Sequence, residues 1–284
     1  MNERARTDPR RPAGPPVAPP IPGFTPLYDL AACLRFYSRL PVPALPEERA
    51  PHAAPDFRTV PRMLPLAGTI IALPAALTLV LAWALHLGPF VAAALALAVA
   101  ALVTGAMHED GLADVADGFG GGRTRDRRLE IMRDSRIGAY GASALVLAYA
   151  LRLGALATLL DRTGWHAAPA LVLAASLSRV AALAPMVLLD PARPGGASAS
   201  VGQPTFATLG VATGTGVVLA GIGWGLGLPP LGLALMLVLG PAAAYGLTLI
   251  AKNRIGGQTG DVIGACQQVA EIAALIGLLA ATPV

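Results

Sequence analysis

The chain has 284 residues, of which 55% are hydrophobic and 13% charged, with a formal net charge of +4. Soluble domains carry about 25% charged residues. Half that share, with a mean hydropathy of +0.61, excludes an ordinary water-soluble fold and points to lipid as solvent. The two cysteines, Cys33 and Cys266, exclude a disulfide framework or a cysteine metal site.

Residues 1–25 are rich in Arg and Pro and are expected to be disordered. No secretory signal peptide is visible in them. Residues 26–284 read as a single transmembrane domain. A span needs ~20 mostly apolar residues to cross ~30 Å of hydrocarbon. Seven runs meet that need: 63–87, 89–107, 139–160, 168–189, 207–228, 230–251 and 262–282. The fold class expected is all-α, a polytopic membrane bundle of about seven helices. Pro65 and Pro74 lie in the first run, where neighbouring helices satisfy the freed carbonyls. The glycines of 210–227 allow helices to approach closely.

Twenty of the 21 basic residues are Arg, and their placement carries orientation. Nine precede the first run and six lie in 108–138. Arg193 lies in 190–206, and Lys252 and Arg254 in 252–261. The alternate loops hold only Arg162. Under the positive-inside rule the N-terminus and the loops 108–138, 190–206 and 252–261 are cytoplasmic. The pI near 9.5 then reflects membrane orientation, and no nucleic-acid partner is expected.

The stretch 108–141, HEDGLADVADGFGGGRTRDRRLEIMRDSRIGAYG, holds seven acids and six arginines. If the second span continues as a helix, Asp110, Asp114 and Asp117 fall at i, i+4 and i+7, on one stripe about 60° wide. Glu109 falls off it. Small residues between them leave room for a bulky ligand. Like charges at this spacing repel, so a counter-charge is expected. Hard oxygen ligands suit Mg²⁺, which is usually held by one or two carboxylates plus substrate phosphates. Two readings stand: a metal–diphosphate site on Asp110, Asp114 and Asp117, or a solvated helix end paired with the arginines that follow.

The stretch GFGGGRTRDRR (118–128) is expected to break the helix, and 128–138 to form a short amphipathic one. Arg133 and Arg136 are candidates for phosphate contact, since the guanidinium fork matches phosphate geometry. Asp134 between them counts with the substrate-binding positions. Arg125, Arg127 and Arg128 are expected in solvent or on anionic headgroups. Further on, RIGGQTGDVIGA (254–265) offers Arg254, a hydroxyl at Thr259 and a carboxylate at Asp261. An isolated Asp in a glycine turn is also an ordinary cap. Glu271 and Arg179 lie inside spans, where an ionisable residue is functional by default or one of an internal pair. His108 is a candidate base or outer ligand, with a structural role as the alternative.

These residues resemble the cobalamin synthase family, whose members act as adenosylcobinamide-GDP ribazoletransferases. The resemblance rests on FYSRLPVP (36–43), PLAG (65–68), HEDGLADVADG (108–118), RLEIMRDSRIGAYG (128–141), SR (178–179) and GGQTGDVIGA (256–265), in that order. It covers roughly 27–280. The family pattern has Leu at the position of Glu109 and commonly Glu at the position of Gln268. The loop 192–203 matches poorly beyond Arg193. The resemblance implies a Mg²⁺-dependent, membrane-embedded phosphotransferase. A ribose hydroxyl of α-ribazole, or of its 5′-phosphate, attacks the cobinamide-side phosphorus of adenosylcobinamide-GDP, and GMP leaves. It implies catalytic roles for Asp110, Asp114, Asp117 and Asp261, and substrate contacts from His108, Arg133, Asp134, Arg136, Arg254 and Thr259. It places the protein in a bacterial inner membrane with its active site on the cytoplasmic face. The lipid bilayer is a partner, and other enzymes of the same pathway or a second copy of the chain fit beside it. Two competitors remain. DGLAD (110–114) also fits a Mg²⁺-dependent membrane prenyltransferase or a CDP-alcohol phosphotransferase, though the rest of those motifs is missing. A transporter would explain Glu271 and Arg179.

Overall fold

The computed structural model describes residues 25–283 apart from 47, 49 and 194–196. The N-terminal segment expected to be disordered lies, but for Thr25, outside the described residues. Helix α1 (Pro26–Tyr37) and a 3-10 turn (Val60–Met63) lead into α2 (Leu64–Ala84) and α3 (Pro89–Thr104). Then come α4 (Met107–Gly121), α5 (Arg125–Ile131), α6 (Ala139–Thr163), α7 (Ala167–Ala181), and the short α8 (Ala184–Leu188) and α9 (Ala197–Ser200). Three long helices close the chain: α10 (Phe206–Gly225), α11 (Pro230–Ile255) and α12 (Gly260–Ala280). No strand occurs among the described residues, and the all-helical membrane class holds.

Five helical stretches are long and apolar enough to span a bilayer, or six if the bent pair α3 and α4 counts as one. The seven expected spans differ from this at two places. The first is 139–188, which is one continuous stretch by length yet holds two of the predicted runs. It folds back at Gly164, with φ +58 and ψ −133. Arg152 of α6 reaches Glu271 at 2.8 Å, and Ser178 of α7 reaches Gln267, one turn earlier on α12, at 2.9 Å. In a straight helix residues 152 and 178 would stand about 39 Å apart. The second is 89–107. Helix α3 ends at Thr104, and α4 leaves it at 90°. The acidic stretch is therefore not a continuation of the second span but a helix turned across its end. Gly105 (φ +66) and Ala106 (φ +55) make the corner in the left-handed region. That conformation costs a residue with a Cβ about 1–2 kcal/mol.

One local expectation holds and one is corrected. The break expected in 118–128 falls at Gly122, after α4 has run to Gly121. The following helix is α5, over Arg125–Ile131, and 132–138 is turn.

The two ends of the bundle differ in chemistry. Trp83, Trp165 and Trp224 are the chain's three tryptophans, and all three are exposed at one end. A Cβ added at Gly164 would meet the Trp83 ring at 3.2 Å, and one at Gly227 would meet His166 at 3.0 Å, so the three helix ends converge. Such a belt marks a membrane–water interface. Helices α4 and α5 and the Arg-rich loops occupy the other end. Between them Leu73, Leu77, Leu81, Val146, Leu147, Val218 and Val238 face outward, as lipid-facing residues do. Leu79, Leu156, Leu159, Leu171, Met236 and Leu275 fill the interior.

Helix α12 is central, packing on α4, α6, α7 and α11. Small residues set the close approaches. A Cβ on Gly68 would lie 2.9 Å from the Ser176 Cα, so α2 and α7 touch backbone to backbone. Gly68→Ala should lower the thermal midpoint in detergent. Overpacking costs ~1–3 kcal/mol and outweighs the helix propensity gained, ~1 kcal/mol. Gly154→Ala, where an added Cβ meets open space, should raise the midpoint or leave it unchanged.

Candidate active site

Four carboxylates ride on α4: Glu109, Asp110, Asp114 and Asp117. The fold divides them into two pairs. Asp117 is buried, and its carboxylate accepts the Gly138 amide at 2.7 Å and the Gly141 amide at 2.9 Å. It thus caps the start of α6, satisfying donors that a helix N-terminus leaves without partners. Glycine at 138 and 141 gives the carboxylate room, since a Cβ at either would collide with it. Glu109 is buried on the inner face of α4. Asp110 is exposed and Asp114 half-buried. The predicted stripe of three aspartates therefore has two open members, while the third is tied to α6.

Asp261 joins the open pair from α12. Helix α4 approaches α12 through glycine. A Cβ on Gly111 would lie 2.8 Å from the Asp261 carbonyl oxygen, and one on Gly264 would lie 3.3 Å from the His108 Cα. Thr259 is the N-cap of α12: its hydroxyl accepts the Val262 amide at 3.3 Å and donates to the Asp261 carboxylate at 3.2 Å. The loop before it is zipped to 190–192 by Gln258 N–H to Asp190 O at 2.9 Å and Ala192 N–H to Gln258 O at 2.8 Å. Only glycine fits at 257, where a Cβ would stand 2.5 Å from the Asp190 carbonyl. This zipper places Arg193 with its guanidinium 4.0 Å from Asp261 while it donates to the Leu129 carbonyl at 2.8 Å.

The cluster repels itself. Burial, then the charges of Asp261, Asp110 and Asp117, push Asp114 up to about 7, and only Arg193 opposes them. Such a site favours a proton or a cation. Among the described residues no three His, Cys, Asp or Glu side chains close as a ready-made metal cage. A hard cation completed by substrate phosphates needs only one or two carboxylates, and Asp110 and Asp114 opposite Asp261 fit that donor set.

The other predicted site residues scatter. Arg133 is exposed on the turn after α5. Asp134 and Arg136 are locked to each other, the guanidinium 2.5 Å from the carboxylate, which draws Asp134 down to about 2. Arg254 is exposed at the end of α11, and Thr259 is buried as the cap. His108 is 4% exposed, stacked on Tyr37 with ring centroids 6.1 Å apart, away from the open face of α4. Two arginines expected in solvent are partners of the last turn of α11. Arg125 donates to the Ile255 carbonyl at 2.9 Å and to the Ala192 carbonyl at 2.6 Å. Arg128 donates to the Arg254 carbonyl at 2.9 Å. They fasten α5 to carbonyls that a helix C-terminus leaves open.

Beneath the open cluster lies a network that the sequence reading missed. Arg152 on α6 contacts Glu109 at 3.0 Å, Glu271 at 2.8 Å and the Gln268 side-chain oxygen at 3.2 Å. Gln267 donates to Glu271 at 2.6 Å and to Ser178 at 2.9 Å, and accepts from Gln268 at 2.9 Å. Arg179 donates to the Ala175 carbonyl at 2.7 Å, so Glu271 takes Arg152 and not Arg179 as its salt-bridge partner. The signal was available. Arg152 is an ionisable residue inside an apolar run, as Arg179 and Glu271 are, and the same rule flags it.

The family model for cobalamin-5-phosphate synthase matches residues 29–279. The chain belongs to that family. An adenosylcobinamide-GDP ribazoletransferase of Azorhizobium caulinodans is 49% identical over 259 residues, covering 89% of this chain and 96% of the relative. Ribazoletransferases of Sinorhizobium medicae (47% identical; 87% of this chain, 94% of the relative) and Rhizobium meliloti (46%; 87% and 94%) are similar over nearly the same length. No solved structure matches. Glu109 and Gln268 meet at one atom, since both accept from the same guanidinium nitrogen of Arg152.

Two outcomes are expected. Asp117→Ala leaves two helix-start amides without an acceptor and should cost about 1–2 kcal/mol or more in stability, read as thermal midpoint. Asp114→Asn should stabilise the protein at neutral pH. Asp114 holds its proton to about 7 in the fold against 3.8 as a model value, so the wild type loses stability as pH rises through that interval. The advantage of the Asn variant in thermal midpoint should grow across it and stay constant above it.

Proposed function

We infer that the chain transfers the cobinamide phosphoryl group of adenosylcobinamide-GDP to a ribose hydroxyl of α-ribazole or its 5′-phosphate, releasing GMP. Family membership over 29–279 supports the reaction. The observation that carries its location is the open carboxylate cluster of Asp110, Asp114 and Asp261, at the Arg-rich end of the bundle. That end is cytoplasmic under the positive-inside rule, and the bilayer is that of a bacterial inner membrane.

Phosphoryl transfer depends mostly on positioning and charge neutralisation. Asp110 and Asp114 would hold Mg²⁺ with the substrate diphosphate, where it would supply the positive charge that neutralises the diphosphate oxygens. Asp117 acts behind them through its charge and its hold on α6. Asp261 takes the proton of the attacking hydroxyl or shares the cation. The new bond forms between the ribose oxygen and the cobinamide-side phosphorus, and the bond from that phosphorus to the bridging oxygen breaks, leaving with GMP. Arg193 and Arg133 border the cluster and suit the departing phosphate. Arg136 and Arg254 are exposed on the same end and reach the guanine nucleotide. His108 and Thr259 support the site from within, and Asp134 sets Arg136. Residues 26–284 act as one catalytic domain.

The test is GMP release by detergent-purified protein from adenosylcobinamide-GDP, α-ribazole-5′-phosphate and Mg²⁺. EDTA should abolish release and added Mg²⁺ restore it. Asp110→Asn and Asp114→Asn should each slow it by at least about a hundredfold, or ~3 kcal/mol, in proteins that remain folded. Full release by Asp114→Asn would move the cation away from α4. No release by folded wild type would overturn the assignment.

A further inference from the structure

We propose that Glu109 is a positioning residue: through Arg152 it fixes the rotation of α4 about its axis, and with it the aim of Asp110 and Asp114. The proposal rests on the functional reading above, but its first test does not.

Helix α4 has little else to set its rotation at this end. Its N-cap is Ala106, with no side-chain cap. Its contact with α12 closes through Gly111 and Gly264, and Leu112, Val115 and Phe119 pack in the apolar cluster shared with α12; these contacts set how near the helices come but carry no directional bond. The stacking of His108 on Tyr37 is likewise a ring contact without a directional bond. Glu109 is the first-turn side chain with a directional bond to another element, 3.0 Å from the Arg152 guanidinium. Asp117 supplies the matching bond two turns later, to α6. Asp110 and Asp114 lie between these two ties, and Glu109 sits one residue before Asp110, about 100° around the helix.

Stability alone does not account for Glu109. Its carboxylate is 5% exposed, and one of its two oxygens has no hydrogen-bond partner. A buried ion pair of this kind is on average no better than well-packed apolar residues. Arg152 already has Glu271 at 2.8 Å. What Glu109 adds is a link between α4 and the bundle. Gln268 makes that distinction testable. Its oxygen lies 3.2 Å from the same nitrogen of Arg152, but it belongs to α12. A carboxylate at 268 would give Arg152 the same charge without holding α4.

The experiment compares wild type, Glu109→Gln, and the double variant Glu109→Leu with Gln268→Glu. Hydrogen exchange is read first, in detergent without substrate. In the double variant the amides of 107–121 should exchange at least tenfold faster, while those of α6 and α12 keep their protection and the thermal midpoint is retained. GMP release is read next. The double variant should lose at least tenfold in kcat, with a higher Mg²⁺ concentration for half-maximal rate. Glu109→Gln should show the same effects more weakly, and it serves as the test if the double variant does not fold. Unchanged exchange over 107–121 in a folded variant overturns the proposal, whether kcat is kept or lost. Faster exchange with unchanged kcat and Mg²⁺ dependence also overturns it. Faster exchange where wild type itself releases no GMP keeps the tether and sinks only the functional reading.

Discussion

A guanidinium held at membrane depth must find its counter-charges within the chain, because lipid supplies none. Arg152 meets that constraint with carboxylates from two elements, Glu109 of α4 and Glu271 of α12. The rest of the polar interior is arranged around this choice. Gln267 and Gln268 lie on α12 between the charges and hand their hydrogen bonds from Ser178 of α7 to Arg152 of α6. Arg179, also buried, brings the set to two cations and two carboxylates. Four helices are thereby held in one register by bonds that are directional, in a region where apolar contacts alone would let helices slide past each other. In a low-dielectric interior these bonds are strong when satisfied.

The acidic helix shows what that register is for. Helix α4 is not a span; it turns by 90° at the end of α3 and lies against the N-terminal end of α12. Its acids face two ways. Glu109 and Asp117 point to partners in the bundle. Asp110 and Asp114 do not, and meet Asp261 across the glycine contact. Burial first, and that crowding second, raise the proton affinity of Asp114. Left to itself, a helix with repelling carboxylates on one face would rotate or shift to separate them. Here the ties at either end prevent it.

The sequence made the solvent, the helical class and the gathering of Arg at one end of the bundle legible, because these depend on run length and on the distribution of Arg, which are local or additive properties. It made the acidic motif legible for the same reason, since three aspartates at i, i+4 and i+7 show in the spacing. What it hid depends on contacts between distant segments. That Asp117 caps α6 requires knowing that Gly138 and Gly141 arrive beside it, 21 and 24 residues on. That α3 and α4 are separate helices depends on Gly105 and Ala106, and a non-glycine residue in the left-handed region has no sequence signature. Arg125 and Arg128 looked like solvated charges because nothing local shows that the carbonyls of 254 and 255, some 130 residues later, end beside them. Arg152 is legible in principle by the same rule that marks Arg179 and Glu271. One Arg among Leu and Ala weighs little in a hydropathy average, although its charge outweighs every neighbour in consequence.

These features bear on why a reaction between polar substrates is housed in a membrane protein. A site built from mutually repelling carboxylates needs a frame that resists their separation before the substrate's own charges arrive. In water such a frame would be weakened by screening and by water reaching each ion pair. Beneath α4 the frame is an ion network enclosed by apolar helices, with Leu156, Leu159 and Leu275 among the fully buried side chains of the core on the side of the tryptophan belt. The bilayer keeps water from the sides of the bundle, so the pairs that hold α4 stay strong. The open face of the same helix remains available to solvent. One helix thus separates two dielectric environments, with the charges tied into the bundle, Glu109 and Asp117, on its inner side and the open carboxylates Asp110 and Asp114 on its outer side.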